Sequence, residues 1–180
     1  MKMSIKNEFY FLFPAPKTIR WQNCILDIRD LCFTLEITKK YAFLFDYFAV
    51  KNKNRGLEII GQEKKTLGVE EYIIESDRNR IVFWANSQRG QFYALSTLLQ
   101  ILAFYKKDGC MPGFFIKDAP DISFRGFLLD VAHGAFPLLP ELQRLLLKLA
   151  LLKFNRFCLY LGDPAKDEKA AQGEFKKGSS

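Results

Sequence analysis

Two acids and the chain's one histidine stand where apolar runs give out: Asp130, His133 and Asp163. The segment Phe124 to Ala132, FRGFLLDVA, is almost continuously apolar and reaches Asp130 near its end. A strand buried on both faces, with polar chemistry at its C-terminal end, has this pattern. A turn with Gly134 and Pro137 follows, then a leucine-rich helix from about Pro140 to Phe154. A second apolar run, Phe157 to Leu161, ends in Gly162-Asp163. Strand, helix, strand with short connections is a βαβ unit, and its crossover should be right-handed. Residues Asp118 to Asp163 thus read as the first strand, helix and second strand of an eight-fold β/α barrel, a fold that keeps its chemistry at the C-terminal rim. One such unit exposes both faces and cannot close a barrel. A lone histidine at a strand end is otherwise a hydrogen-bonded structural residue, and Asp163 can equally cap a loop.

The elements that would position these groups need a core. The 180 residues hold 49% hydrophobic side chains and 18 Phe, ample for one domain plus part of another. Cys24, Cys32, Cys110 and Cys158 show no CxxC spacing, and one histidine cannot complete a usual Cys/His zinc set. Neither a metal nor another cofactor is expected, and thiols without a disulfide framework suit a reducing compartment. The first residues, MKMSIKNEFYFLFPAPKT, lack the long apolar core and small-residue cleavage site of a signal peptide. No stretch approaches the roughly 20 apolar residues of a membrane span. A soluble, cytoplasmic protein without membrane partners is expected.

The net charge of +7 comes from scattered pairs such as Lys39-Lys40, Lys64-Lys65, Lys106-Lys107 and Lys176-Lys177, and from the Lys51/Lys53/Arg55 cluster. No nucleic-acid-binding motif accompanies them, so they read as a solvated surface.

Along the first part, residues 23–37 carry β-formers for one or two strands. Tyr41, Phe45 and Phe48 give residues 39–48 the spacing of an amphipathic helix. Strands are expected at 57–61, 71–76 and 80–85, with Asp77-Arg78-Asn79 as a hairpin turn. Ser87 should cap a helix running to about Tyr105, with Phe92, Leu95, Leu98, Leu99 and Leu102 as its apolar stripe. Cys110 to Gly113 reads as a break before a short strand at Phe114 to Ile116. The fold class is therefore α+β, a small sheet with helices on one face, over residues 1–117, followed by a truncated (β/α)8-barrel start over 118–163. Residues 164–180 are rich in Lys, Glu, Ala and Gly and read as a flexible tail.

Two stretches together resemble glycoside hydrolase family 20, the β-N-acetylhexosaminidases. RIVFWANSQRGQFYALSTLLQIL (Arg80–Leu102) is similar to the family's non-catalytic α+β domain, with its TLLQ signature. Ile116–Asp163 is similar to its entry into the catalytic barrel, with the pattern D-x-P…RG…LD and then A-x-x-K-x-N. The resemblance implies hydrolysis of terminal N-acetylhexosamines from glycans by substrate-assisted retention, outside the usual two-carboxylate scheme. A glutamic acid would protonate the leaving oxygen, and a preceding aspartate would orient the sugar's 2-acetamido group. That pair belongs to a mid-barrel strand, so no catalytic residue is expected in this chain. Asp167-Glu168 is an acid pair in the polar tail with no apolar strand before it, and reads as a solvated charge run.

The substrate-binding positions that the resemblance carries over are Asp130, His133 and Asp163. At His133 the family commonly has an arginine that grips sugar hydroxyls, and this departure puts the usual mode of sugar binding in doubt. Strand alternation points Asp130 and His133 to opposite faces unless the chain has turned at Ala132. Cys158 and Tyr160 stand where the family often has histidines, and Asp163 matches an acid just past the second strand. Arg125 and Asn155 match family positions too and read as structural. Leu142, Leu145, Leu146, Leu149 and Leu152 should pack on the barrel exterior, leaving Leu147 and Leu151 bare in a fragment.

The leading reading is the N-terminal portion of a family 20-like enzyme, inactive by itself, with self-association through its incomplete barrel. The alternative is a non-catalytic interaction or carbohydrate-associated module. A basic nucleic-acid-binding domain is the remote third.

Overall fold

The computed structural model of the chain describes residues 11–132 and 137–162. Its contacts divide the chain between Ser123 and Phe124 into two compact units.

The first unit is built on a six-stranded mixed sheet in the order β1 (Thr18–Asp27), β6 (Cys110–Asp118), β4 (Tyr72–Ser76), β5 (Arg80–Ala85), β3 (Leu57–Glu63), β2 (Leu31–Phe33). Pairings are antiparallel from β1 through β6 and β4 to β5, then parallel from β5 to β3 and from β3 to β2. Alternation along the strands sorts the two faces. Ile59, Ile74, Ile81, Phe83, Phe114 and Ile116 are buried on one side, whereas Glu58, Gln62, Glu75 and Lys117 are exposed on the other.

The helices cover the apolar face. Ser87 caps α3 (Gln88–Tyr105) by accepting hydrogen bonds from the amides of Arg89 (3.1 Å) and Gly90 (3.2 Å). Leu95, Leu98, Leu99 and Leu102 of its expected stripe are buried, and Phe92, half-buried, stacks on Phe43 of α2 (Ala42–Phe48). The hairpin turn between β4 and β5 works as its residues dictate. Asp77 Oδ1 accepts from the amides of Asn79 (2.9 Å) and Arg80 (3.1 Å), fixing the backbone by an aspartate-specific local bond.

Three features depart from the sequence expectation. β1 begins at Thr18, ahead of residue 23, because its partner β6 reaches Lys117. In place of one helix over 39–48 there are two, α1 (Leu35–Lys40) and α2, broken at Tyr41. Residues 35–37, expected as strand, lie in α1 after the extended Thr34, and Tyr41, buried at the break, sends its hydroxyl to Gln91 Oε1 (3.4 Å). Tertiary anchoring outweighs β propensity there.

The third departure is Cys110 to Gly113, which lies inside β6. Pro112 has no N–H for a ladder, and β1 answers with a register shift between Gln22 and Ile25. The shifted Cys24 occupies the space over Gly113, where an added Cβ would lie 2.2 Å from its sulfur. A side chain there would force Cys24 to move.

A buried polar chain ties the sheet to α3. The Tyr72 hydroxyl lies 2.7 Å from Thr97 Oγ1 and donates to Asp118 Oδ2 at 3.1 Å, while Asp118 Oδ1 accepts from the Lys17 amide at 3.1 Å. Burial, and then the Asp118 carboxylate, push the Tyr72 phenol well above its ordinary range, so it stays a donor.

Glu71 performs a similar task at the surface. The Gly68 amide (2.9 Å) chiefly, and Lys117 Nζ (3.1 Å) beside it, hold its carboxyl below the ordinary 4.5. A depressed carboxylate contributes stability that is fully present above its unfolded value and is lost as pH falls through the folded one. The stability difference between the protein and Glu71→Gln should therefore be constant above pH 4.5 and shrink on further acidification. Denaturant titrations across pH check this, and a difference that persists unchanged into acid would contradict it.

The second unit is a parallel strand pair with one helix between: β7 (Gly126–Asp130), α4 (Leu139–Leu151) and β8 (Arg156–Tyr160), in register from Gly126↔Arg156 to Asp130↔Tyr160. At the start of α4, Glu141 Oε2 accepts from the Leu138 amide at 3.1 Å. At its end, Phe154 N donates to the Leu149 carbonyl and Lys153 N to that of Ala150, both at 2.9 Å. That is a Schellman turn with Lys153, φ 63°, where glycine is usual.

Arg125 locks the turn to β7. Its amide donates to Asn155 Oδ1 (3.0 Å), its Nε to the Lys153 carbonyl (2.6 Å), and its carbonyl accepts from the Asn155 amide (3.0 Å). Arg125 and Asn155 are structural, as read from the sequence. The leucines are distributed otherwise than expected: Leu151 is buried beside the Schellman turn, and Leu146 is exposed. Gly134 and the tail 164–180 lie outside the described residues.

Candidate functional site at the ends of the parallel strands

In a parallel pair, register partners point to the same side of the sheet. One face of the pair therefore carries Phe127, Leu129, Phe157 and Leu159, and the rings of Phe127 and Phe157 stack with centroids 6.2 Å apart. The other face carries Leu128, Asp130, Cys158 and Tyr160, all of them exposed. The half-burial of Phe127, Leu129 and Phe157 marks the first face as the covered one, and the second as open.

Asp130 closes β7 at the C-terminal end of that open face. Its Oδ1 accepts from the Ala132 amide at 2.9 Å, an aspartate turn that ends the strand. The Val131 amide donates to the Tyr160 carbonyl at 3.0 Å, so the two strands stay joined up to the turn. Gly162, at φ +89°, then brings the segment after β8 against the segment after β7. A Cβ on it would lie 3.1 Å from that of Ala132.

Asp130 is the sequence-predicted residue that the described structure places. His133 and Asp163 lie outside the described residues, each next to one of these converging segments, Ala132 and Gly162.

A residue not picked out as a candidate ligand-binding group is Tyr160, register partner of Asp130 and 44% exposed. The signal was present: strand alternation with Cys158, two positions earlier, puts it on the Asp130 side once the register is known. A carboxylate that accepts from hydroxyls, beside a phenol that donates and an apolar floor at Leu128, is suited to a polyhydroxylated ligand. Among the described residues no group of acids, cysteines and histidines is arranged to hold a metal ion. Among them, too, no helix is long and apolar enough to cross a membrane.

No protein-family model matches the chain. Among curated proteins it is 36% identical over 106 residues to a β-hexosaminidase of Vibrio furnissii, and 31% identical over 115 residues to one of Porphyromonas gingivalis. Those alignments take in 59% and 60% of this chain. The chain spans only 17% and 14% of the length of these two relatives.

In fold, it superposes on a family 20 exo-β-N-acetylglucosaminidase of Vibrio harveyi with a TM-score of 0.67 and 24% identity, over 85% of this chain and 26% of that one. One structure of that enzyme holds N-acetylglucosamine. A β-N-acetylhexosaminidase of Bacteroides fragilis gives 0.66 at 20% identity, over 83% of this chain and 33% of that one. The chain is thus a relative of the β-hexosaminidases and has the fold of part of a glycoside hydrolase family 20 enzyme.

Proposed function

We propose that these residues form the non-catalytic α+β domain (1–117) and the first strand, helix and strand of the catalytic barrel (118–163) of a β-N-acetylhexosaminidase-like glycoside hydrolase. The parent enzyme would remove terminal N-acetylhexosamines from glycans. The observation that carries this reading is the parallel β7–α4–β8 unit, with Asp130 at the end of β7, in a chain that is 36% identical to a β-hexosaminidase over 106 residues. In the complete barrel the open face of Leu128, Asp130, Cys158 and Tyr160 would turn inward. Asp130, His133 and Asp163 would then stand at the rim that binds sugar. With His133 where the family has an arginine, the sugar would be gripped by an imidazole of variable charge in place of a fixed cation. A cytoplasmic location fits four cysteines that form no disulfide.

General acid catalysis needs a positioned carboxyl facing the leaving oxygen, and the proposal puts that carboxyl on a later strand. The purified 180-residue chain is therefore expected to show no turnover of an aryl N-acetylglucosaminide above the uncatalysed background. Turnover that disappears in Asp130→Asn would overturn this division of labour.

A further inference from the structure

Basic residues from three separate segments of the sequence meet around one cavity of the first unit. The loop after α2 brings Lys51 and Lys53, the end of α3 brings Lys106, and the turn before β2 brings Arg29. Ile28, Leu31, Val50 and Leu102 supply an apolar floor. The cavity measures about 390 Å³, within the range of small-molecule sites.

From this arrangement we infer a binding site for a small anion carried on a short apolar body, such as an alkyl carboxylate or an alkyl phosphate. Among the described residues no carboxylate lines the cavity. Two lining cations already pair with acids outside the lining: Arg29 with Asp27, and Lys53 with Asp30 (2.6 Å), which Arg55 also meets (3.0 Å). Among the described residues the other two lining cations have no acid partner. Lys106 Nζ donates to a neutral carbonyl, that of Ala49, at 2.7 Å. Lys51 makes no ion pair or hydrogen bond among the described residues. A ligand anion would give both a charge-assisted bond that the protein does not provide.

The rim is held before any ligand arrives. The Lys53 amide donates to the Leu31 carbonyl (2.8 Å) and its Nζ to that of Arg29 (3.1 Å). Val50 N, donating to the Phe45 carbonyl (3.0 Å), closes α2 onto the same loop. Such preorganisation lowers the ordering cost of binding. The floor, in turn, rewards an apolar body in proportion to the area it takes from water. The headgroup and the tail are thus both needed.

The test is a titration of the full chain with octanoate, followed through the NMR amide shifts of residues 49–53 and 102–106. Octanol, with the tail but no charge, and inorganic phosphate, with charge but no tail, serve as the paired probes. Saturable octanoate binding is expected, with each partial probe weaker by about tenfold or more, one charge-assisted bond or a comparable apolar contact being worth about that factor. Lys51→Glu changes an exposed side chain, and Lys106→Gln keeps a donor for the Ala49 carbonyl, so both should fold. Each should weaken octanoate by about tenfold. Absence of saturable shifts at these amides, octanol binding as tightly as octanoate, or unchanged affinity in both variants would overturn the assignment.

Discussion

Ile74→Ala should lower the stability of the first unit by about 2–5 kcal/mol, the usual range for truncating a fully buried aliphatic side chain. Ile74 has no exposed surface and lies on β4, with β6 on one side and β5 on the other. Its register partners Phe83 and Ile116 are themselves buried, and β4 and β5 also contact α3. A methyl-sized side chain leaves a void between three elements, and a sheet held on both edges cannot collapse to fill it. The expected destabilisation should appear in the denaturant midpoint with little change in slope. A loss below about 1 kcal/mol would place Ile74 in a site free to relax, contrary to the central position of β4.

The second large effect concerns association. β7 and β8 pair with each other and, among the described residues, with no further strand, so each offers an outer edge of unpaired amides and carbonyls. Leu128 is 60% exposed and Leu161 67%, and Phe124, Leu138 and Leu139 of the same unit are as bare. Parallel strands are normally covered on both faces, and open edges template pairing with another chain. On the proposal of an incomplete barrel, the full chain should show a mass by light scattering that rises with concentration. The polypeptide 1–123 should remain a monomer with its sheet intact. A full chain that is monodisperse and monomeric at all concentrations would show that these surfaces are satisfied within one molecule.

The parts of the fold that local chemistry dictates could be read before any coordinates. Asp77-Arg78-Asn79 fixes its own turn, Ser87 caps its own helix, and the periodicity of α3 needs no partner to be seen. The parallel unit was legible for the same reason, since two apolar runs flank one amphipathic helix. What escaped depended on contacts across the sequence. Pro112 reads as a break until β1 is known to bulge opposite it, and residues 35–37 read as strand until Tyr41 is seen anchoring a pair of short helices. At the candidate site, Asp130 stood out as an acid at the end of an apolar run. Tyr160 did not, because an exposed tyrosine acquires meaning there only from its register with Asp130. The cavity lined by Lys51 and Lys106 joins residues more than fifty positions apart in the chain, and no local pattern announces it.

The claim that β7–α4–β8 is one part of a larger sheet is tested most directly by hydrogen exchange. The amides of Leu128 and Leu129 should be compared with those of Val82 and Phe83, which lie on β5 between two neighbouring strands. An open two-stranded pair sits at the low end of local stability, so the β7 amides should exchange at least about a hundredfold faster than those of β5. Equal protection of the two sets in a monomeric chain would contradict the account, because the parallel pair would then be complete as it stands.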